Sequence, residues 1–316
     1  MMSDLFDSFV RANLFGGLAV AGVLALRLPA RRFLGPHNAY ALWLAVPLAF
    51  LASFLPGVEA ETAAQAAAPL TAALPPAIST AELAAVWTAG AALAAAAVAI
   101  GQMRFLARAR AGRAGPAVVG VICPRLVTPA DFQDNFTAAE RALIRAHERA
   151  HIDRNDPKVN AAVTAAQALC WFNPLAHVGA HFARLDQELA CDATVMATRS
   201  RDRRLYAETM LKTQMASSPL PLGCHWLAGR HPLEVRIGLL KRPAVPHLRR
   251  LAGAWGAAGL ALATGYAAWA AQPPAPPRPH FVQSLYTLDP AEPRTSVMMI
   301  RLSPEEAAAL PRPARR

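Results

Sequence analysis

Two histidines stand four positions apart, with a glutamate directly after the first, in His147-Glu148-Arg149-Ala150-His151. On a helix, 3.6 residues per turn puts both imidazoles on one face, where both reach a single metal ion. The glutamate between them reaches the water on that ion rather than the ion itself. Zinc lowers the pKa of such a water toward ~7, and a glutamate so placed takes its proton as it attacks a carbonyl. The spacing therefore points to a zinc-peptidase helix, with His147 and His151 as ligands and Glu148 as general base. The bland alternative is a charged amphipathic helix with two surface histidines.

A catalytic zinc needs a third protein ligand. In Asp186-Gln187-Glu188-Leu189-Ala190-Cys191-Asp192, on a long helix expected after Pro174, Glu188 can supply it. Asp192, one turn on, is placed to accept an N–H from a ligating histidine, which fixes the tautomer and raises ligand basicity. A solvated acidic face would also carry two such carboxylates, but the apolar residues between them count against it.

The runs HERAHIDRNDP (147–157), WFNP (171–174), DQELACD (186–192) and HWLAGRHPLEVRI (225–237) occur in that order. In this the chain resembles the BlaR/MecR-type membrane metallopeptidases, over most of residues 1–271. The resemblance implies a sensor–transducer of the gluzincin class, with three membrane helices, a cytosolic peptidase domain and a fourth membrane helix. It implies one zinc per chain on His147, His151 and Glu188, with Glu148 as base and Asp192 as the supporting aspartate. It also implies a cytosolic protein substrate, a winged-helix repressor whose loss the protease brings about, with the chain itself as a further or alternative substrate. Two departures stand out. Arg149 occupies a usually apolar position beside the ligand face. The 45 residues after Ala271 open with the Pro-rich stretch PPAPPRP and hold no Ser-x-x-Lys, so no β-lactam-acylating domain is expected within this chain.

The elements that must position these residues leave their own marks. Thr137-Ala-Ala-Glu140 is a capping box, expected to start the helix that carries His147. Residues 117–128 look like two short β-rich pieces broken near Pro124. His177 and His181 lie four apart without a glutamate between them and are expected to pack or hydrogen-bond. Cys224, His225 and His231 are taken as structural, and Ser296–Leu302 as a short strand or nothing.

Four apolar runs, at about residues 5–26, 39–58, 83–103 and 251–271, are long enough to span a bilayer. Hydrophobic residues make up 54% of the chain and charged residues 17%, well below the soluble norm of about 25%. That composition excludes long disorder for the bulk of the chain, and four cysteines cannot staple this length as a secreted domain. The net charge of +11 is almost all arginine, apart from Lys158, Lys212 and Lys241, and the arginines sit beside the apolar runs. No direct nucleic-acid binding is expected. Arg27, Arg31 and Arg32 follow the first run, Arg104, Arg108, Arg110 and Arg113 the third, and Lys241, Arg242, Arg249 and Arg250 precede the fourth. The loop with Glu59 and Glu61 has no basic residue. The positive-inside rule then puts both termini outside and 104–250 in the cytosol. The four cysteines fall there as thiols and are expected as buried small hydrophobes. The Arg199–Arg204 cluster is expected to face solvent near lipid headgroups.

The fold class expected is a multi-pass α-helical membrane protein with a cytosolic α+β gluzincin-like zinc peptidase domain. Its parts would be a membrane region at 1–103, the peptidase at 104–250, a fourth transmembrane helix at 251–271 and an extracytoplasmic tail at 272–316. The bacterial cytoplasmic membrane is its expected place. Membrane lipid, and an extracytoplasmic partner at the tail, are the other expected contacts; the oligomeric state stays open. A signal-transducing antirepressor endopeptidase competes with a quality-control membrane peptidase and with a catalytically silent receptor or scaffold. An intramembrane site-two-type protease fails, because Arg145, Arg149, Asp153 and Arg154 make the motif helix too charged for hydrocarbon.

Overall fold

The computed structural model describes residues 2–57, 79–216, 232–243, 245–272, 281–284 and 298–301. The loop around Glu59 and Glu61, the Cys224–His231 stretch and most of the tail lie outside these residues. By its contacts the chain divides into two units, one of Met1–Leu55 with Ala73–Trp269, the other of Pro56–Ala72 with Ala270–Arg316.

In the first unit, α1 runs Met2–Phe33 and is followed by α2 (Pro36–Ala41), a 3-10 turn (Leu42–Leu44) and α3 (Ala45–Ala52). The second apolar run is thus not one straight helix, and it ends before residue 58. Pro47 has no N–H for the carbonyl of Trp43, and the chain tightens there instead. The third run lies in α4 (Thr80–Arg110), started by a capping box of Ser79 and Glu82. The strands β1 (Ala117–Val119) and β2 (Arg125–Val127) pair antiparallel, Val118 opposite Leu126, with the break at Pro124 as its residues suggest. After α5 (Phe132–Asn135) come α6 (Ala138–Asp153), α7 (Asp156–Leu169), α8 (Pro174–Thr198), α9 (Arg203–Ala216) and α10 (Pro232–Leu240). The last helix, α11, runs His247–Ala270.

Among the described residues, two helices are long and apolar enough to cross a membrane, over Phe6–Phe33 and Ala81–Arg110, with mean hydropathies of 1.7 and 2.0. None of the apolar stretch in α4 is buried, so it is not the core helix of a soluble protein. α11 carries Gly253, Gly256, Gly259 and Gly265 beside His247, Arg249 and Arg250, which dilute its apolarity.

The central element is α8. One side packs with α1, α2 and α11 around Val23, Ala39, Trp43, Ala183 and Ala257. Another packs with α6 and α9 around Leu143, Cys191, Val195, Tyr206 and Met210. Burying a side chain such as Leu143, only 1% exposed, stabilises by about 2 kcal/mol. The second unit contributes one antiparallel pair, β3 (Phe281–Ser284) with β4 (Met298–Arg301), Val282 opposite Ile300. The segment left as strand or nothing is therefore a strand.

Candidate active site

The cap that starts α6 forms as its residues suggest: the Thr137 side chain accepts from the Glu140 N–H, and Glu140 accepts from that of Thr137 at 2.7 Å. Two turns later His147 and His151 emerge on one face, with their Nε2 atoms 3.1 Å apart. Asn173 caps α8 and Pro174 sits in its first turn, so the WFNP run is the start signal of the helix that carries Glu188. The Glu188 carboxylate lies 3.4 Å from His147 Nε2 and 3.5 Å from His151 Nε2.

The outer nitrogen of each histidine is taken. His151 Nδ1 bonds Asp156 Oδ2 at 2.8 Å. His147 Nδ1 bonds the Tyr206 hydroxyl at 2.8 Å, and that hydroxyl donates to Asp192 Oδ1 at 2.8 Å. Asp192 therefore reaches His147 through Tyr206, its direct approach being 3.4 Å. With both Nδ1–H groups donating outward, the two Nε2 lone pairs and a carboxylate converge on one point. His147 Nε2 faces Glu188 Oε2 at 3.4 Å and His151 Nε2 faces Glu188 Oε1 at 3.5 Å, and these separations, with 3.1 Å between the nitrogens, leave room for an ion ~2.0–2.2 Å from N and O ligands. The donor set and its spacing fit zinc.

Cys191 also stands near, with ligand atoms of Cys191, His147 and His151 all within 4.8 Å of one another. Its thiol is fully buried and donates to the His147 carbonyl at 3.4 Å. Glu188 instead is one-third exposed, and its carboxylate lines the open cavity. Glu188 is the better-placed third donor.

Arg236, on α10, closes the cluster. Its guanidinium forks onto Asp192 with two bonds of 2.8 Å and reaches Glu188 Oε2 at 3.0 Å. Burial alone would raise the pKa of Asp192 and Glu188, but Arg236, then His147, holds both below the ordinary range, Asp192 at about 2. Burial would lower His151, yet Asp156, Cys191 and Glu188 push it up to about 10. His147 is raised as well, burial being outweighed by Tyr206 and Asp192. Burial pushes the Glu148 carboxyl up, against the pull of His147 and His151.

Glu148 makes no hydrogen bond or ion pair among the described residues. It lines a cavity of about 940 Å³ with His147, His151 and Glu188. The other walls include β1, α7 with Asn160 and Thr164, α4 with Ala95, Ala99 and Phe105, α9 with Thr209 and Met210, and α10 with Leu233 and Arg236. Its size suits a peptide segment rather than a water alone.

The five residues singled out by spacing thus meet at one place. Asp156, Tyr206 and Arg236 join them without having been assigned a role. Asp156 and Arg236 lie inside the HERAHIDRNDP and HPLEVRI runs; Tyr206 carries no sequence signal. Arg149 is exposed and pairs with Asp153 at 3.3 Å, so it alters no packing at the ligand face. His177 hydrogen-bonds Gln167 and the Trp171 carbonyl, as expected of a packing histidine. Of the cysteines, Cys170 and Cys191 are buried as expected and Cys123 is exposed.

A paired-histidine helix facing a carboxylate on a second helix is a constellation that can hold a metal ion, beside two membrane-length helices. The profile of the BlaR1 peptidase M56 family matches residues 7–114 and 108–240, and the chain belongs to that family. With its two apolar helices, that makes it a membrane protein and a member of a peptidase family. The chain is also similar to the regulatory protein BlaR1 of Bacillus licheniformis, with 33% identity over 98 residues. That alignment covers 31% of this chain and 16% of the relative. No solved structure matches the chain significantly.

Proposed function

We propose that this chain is a membrane-embedded zinc endopeptidase of signal-transducing, antirepressor type, with one zinc per chain on His147, His151 and Glu188. The convergence of two Nε2 atoms and a carboxylate within 3.1–3.5 Å, beside the unpartnered Glu148, carries this reading. Zinc bound there would polarise a scissile carbonyl and acidify the attacking water. Glu148 takes the water's proton on its carboxylate and hands it to the leaving amine. Its apolar setting raises its proton affinity, which suits a group that must accept and then release. Asp156 and the Tyr206–Asp192 pair hold the histidine rings in the tautomer that frees Nε2. The cavity walls align an extended peptide across Glu148.

The topology proposed is four spans, both termini outside, and the segment 104–250 in the cytosol. The substrate is a cytosolic protein, a winged-helix repressor; that the similar B. licheniformis protein is a regulatory protein supports the reading. Metal analysis of the purified chain tests the site. Glu148→Ala should keep zinc while substrate cleavage falls by at least 100-fold, and Cys191→Ala should keep zinc. Glu188→Gln should lose it. Zinc kept in Glu188→Gln but lost in Cys191→Ala would move the third ligand to the thiol and overturn the assignment.

A further inference from the structure

A second cavity, of about 580 Å³, has its own lining and meets the catalytic cluster at Asp192. Six arginines line it: Arg31, Arg32, Arg203, Arg242, Arg249 and Arg250. They come from the end of α1, the start of α9, the turn after α10 and the start of α11. Among the described residues one carboxylate, Asp192, reaches the lining, and its oxygens already serve Arg236 and Tyr206. Arg31 comes no nearer than 3.8 Å to Asp186, and its Nη1 is buried with no hydrogen-bond partner. The other five have no ion pair among the described residues.

Six cations around one space repel one another, most strongly at the half-buried Arg31 and Arg203, since solvent screens the exposed Arg32, Arg242, Arg249 and Arg250. An anion would relieve it. A guanidinium presents two parallel N–H donors, the fork that phosphate oxygens accept best. Apart from Asp192 and His37, which bonds Thr194 at 3.0 Å, the rest of the wall is largely apolar, with Phe33, Leu189, Met196, Leu239 and Val245. Arginines interleaved with apolar side chains suit a phosphate ester attached to an apolar body. The rim also stands at the basic ends of α1 and α11, at headgroup depth if these helices span, where basic pockets between helices take lipid phosphates.

We propose that this cavity is a binding site for a phosphate-bearing anion, supplied by the headgroup of an anionic phospholipid. The site is separate from the peptidase reading and its test needs no cleavage. The full chain would be purified in neutral detergent. Native mass spectrometry would count retained phosphatidylglycerol against phosphatidylcholine, and thermal melting would be followed with each lipid and with inorganic phosphate. The expected result is one phosphatidylglycerol retained, at least tenfold over phosphatidylcholine, with a raised melting temperature. In Arg32→Gln/Arg242→Gln/Arg250→Gln the affinity should fall by about 100-fold, the loss of three such contacts. These three side chains are exposed, so their neutralisation leaves the packing intact. Arg104→Gln/Arg108→Gln/Arg110→Gln removes the same charge from the end of α4 and should bind as the native chain does. Equal binding by the cavity variant, or equal loss in the α4 variant, would overturn the proposal. So would the native chain showing neither a preference for phosphatidylglycerol nor a response to phosphate, a result that depends on no variant. A response to inorganic phosphate without lipid retention would keep the phosphate site and overturn the lipid as its source.

Discussion

Two imidazole Nε2 atoms facing each other at 3.1 Å need a positive charge between them. Without metal, protons supply it. His151, ordinarily near 6.5, rises to about 10 beside Asp156, Cys191 and Glu188 once burial has been overcome. At pH 7.5 the metal-free ring is therefore protonated, and zinc must displace that proton. Calorimetric zinc titration in two buffers of different ionisation enthalpy should find at least one proton released at pH 7.5, with affinity rising toward pH 10. The metal-free fold should follow the opposite sense. A raised histidine stabilises fully below about 6.5, and that contribution fades as pH climbs through about 10. Zinc uptake without proton release would mean that the rings are neutral and the cluster is not as argued. His147, Glu148 and His151 were legible because helix periodicity alone places them, and Glu188 with Asp192 because a second helix repeats the same rule. Asp156 was not. It reaches His151 only because Asn155 takes a left-handed turn, with φ of 59°, and sets Asp156 at the head of α7. Tyr206 and Arg236 arrive from α9 and α10 by long-range packing, which no local spacing encodes.

Among the elements, α4 owes its place to a glycine. The Trp171 indole lies so close to Gly90 that an added Cβ would stand 2.1 Å from the ring. The ring cannot slide away without cost, because Trp171 donates to the Trp87 carbonyl at 3.2 Å and Trp87 donates to that of Leu169 at 2.9 Å. Gly90→Leu should push α4 off the α7–α8 corner and destabilise by about 1–3 kcal/mol, the usual cost of overpacking. Thermal melting would report the loss, while zinc content should hold, since the ligands proposed for it sit on α6 and α8. An unchanged melting temperature would show that α4 is not seated on Trp171. Sequence reading found this helix from its apolar length alone. It could not see which face meets the peptidase, because alanine-rich helices present nearly the same surface all round. The apolar run 39–58 gives no sign by length of its 3-10 interruption at Leu42–Leu44, for which Pro47, lacking an N–H for the Trp43 carbonyl, is the local cause.

At the scale of the molecule, the residues expected as membrane region, peptidase and last helix share one core. Arg27 was counted among the basic flank of the first run, indistinguishable from Arg31 and Arg32 by sequence. It is 5% exposed and forks onto the buried Asp186 of α8 at 2.8 and 3.0 Å, with Trp43 donating to the same carboxylate at 2.9 Å. Breaking such a buried pair from one side is costly. Asp186→Leu or Arg27→Met alone should destabilise by about 3–5 kcal/mol, whereas the double variant should recover most of that. Denaturant or thermal unfolding in detergent measures both, and simple additivity of the two losses would refute the coupling.

The position of Asp186 on α8, two residues before Glu188, also bears on how the chain can be divided. A piece excised at the compositional boundary, residues 104–250 alone, would inherit a carboxylate buried in apolar surroundings with its arginine and tryptophan left behind. The bare flank of α8 that Val23, Trp43 and Ala257 normally cover would be left open to water. The segment that carries the histidine cluster is therefore no portable cassette, and its shape is inseparable from the helices it is wedged against.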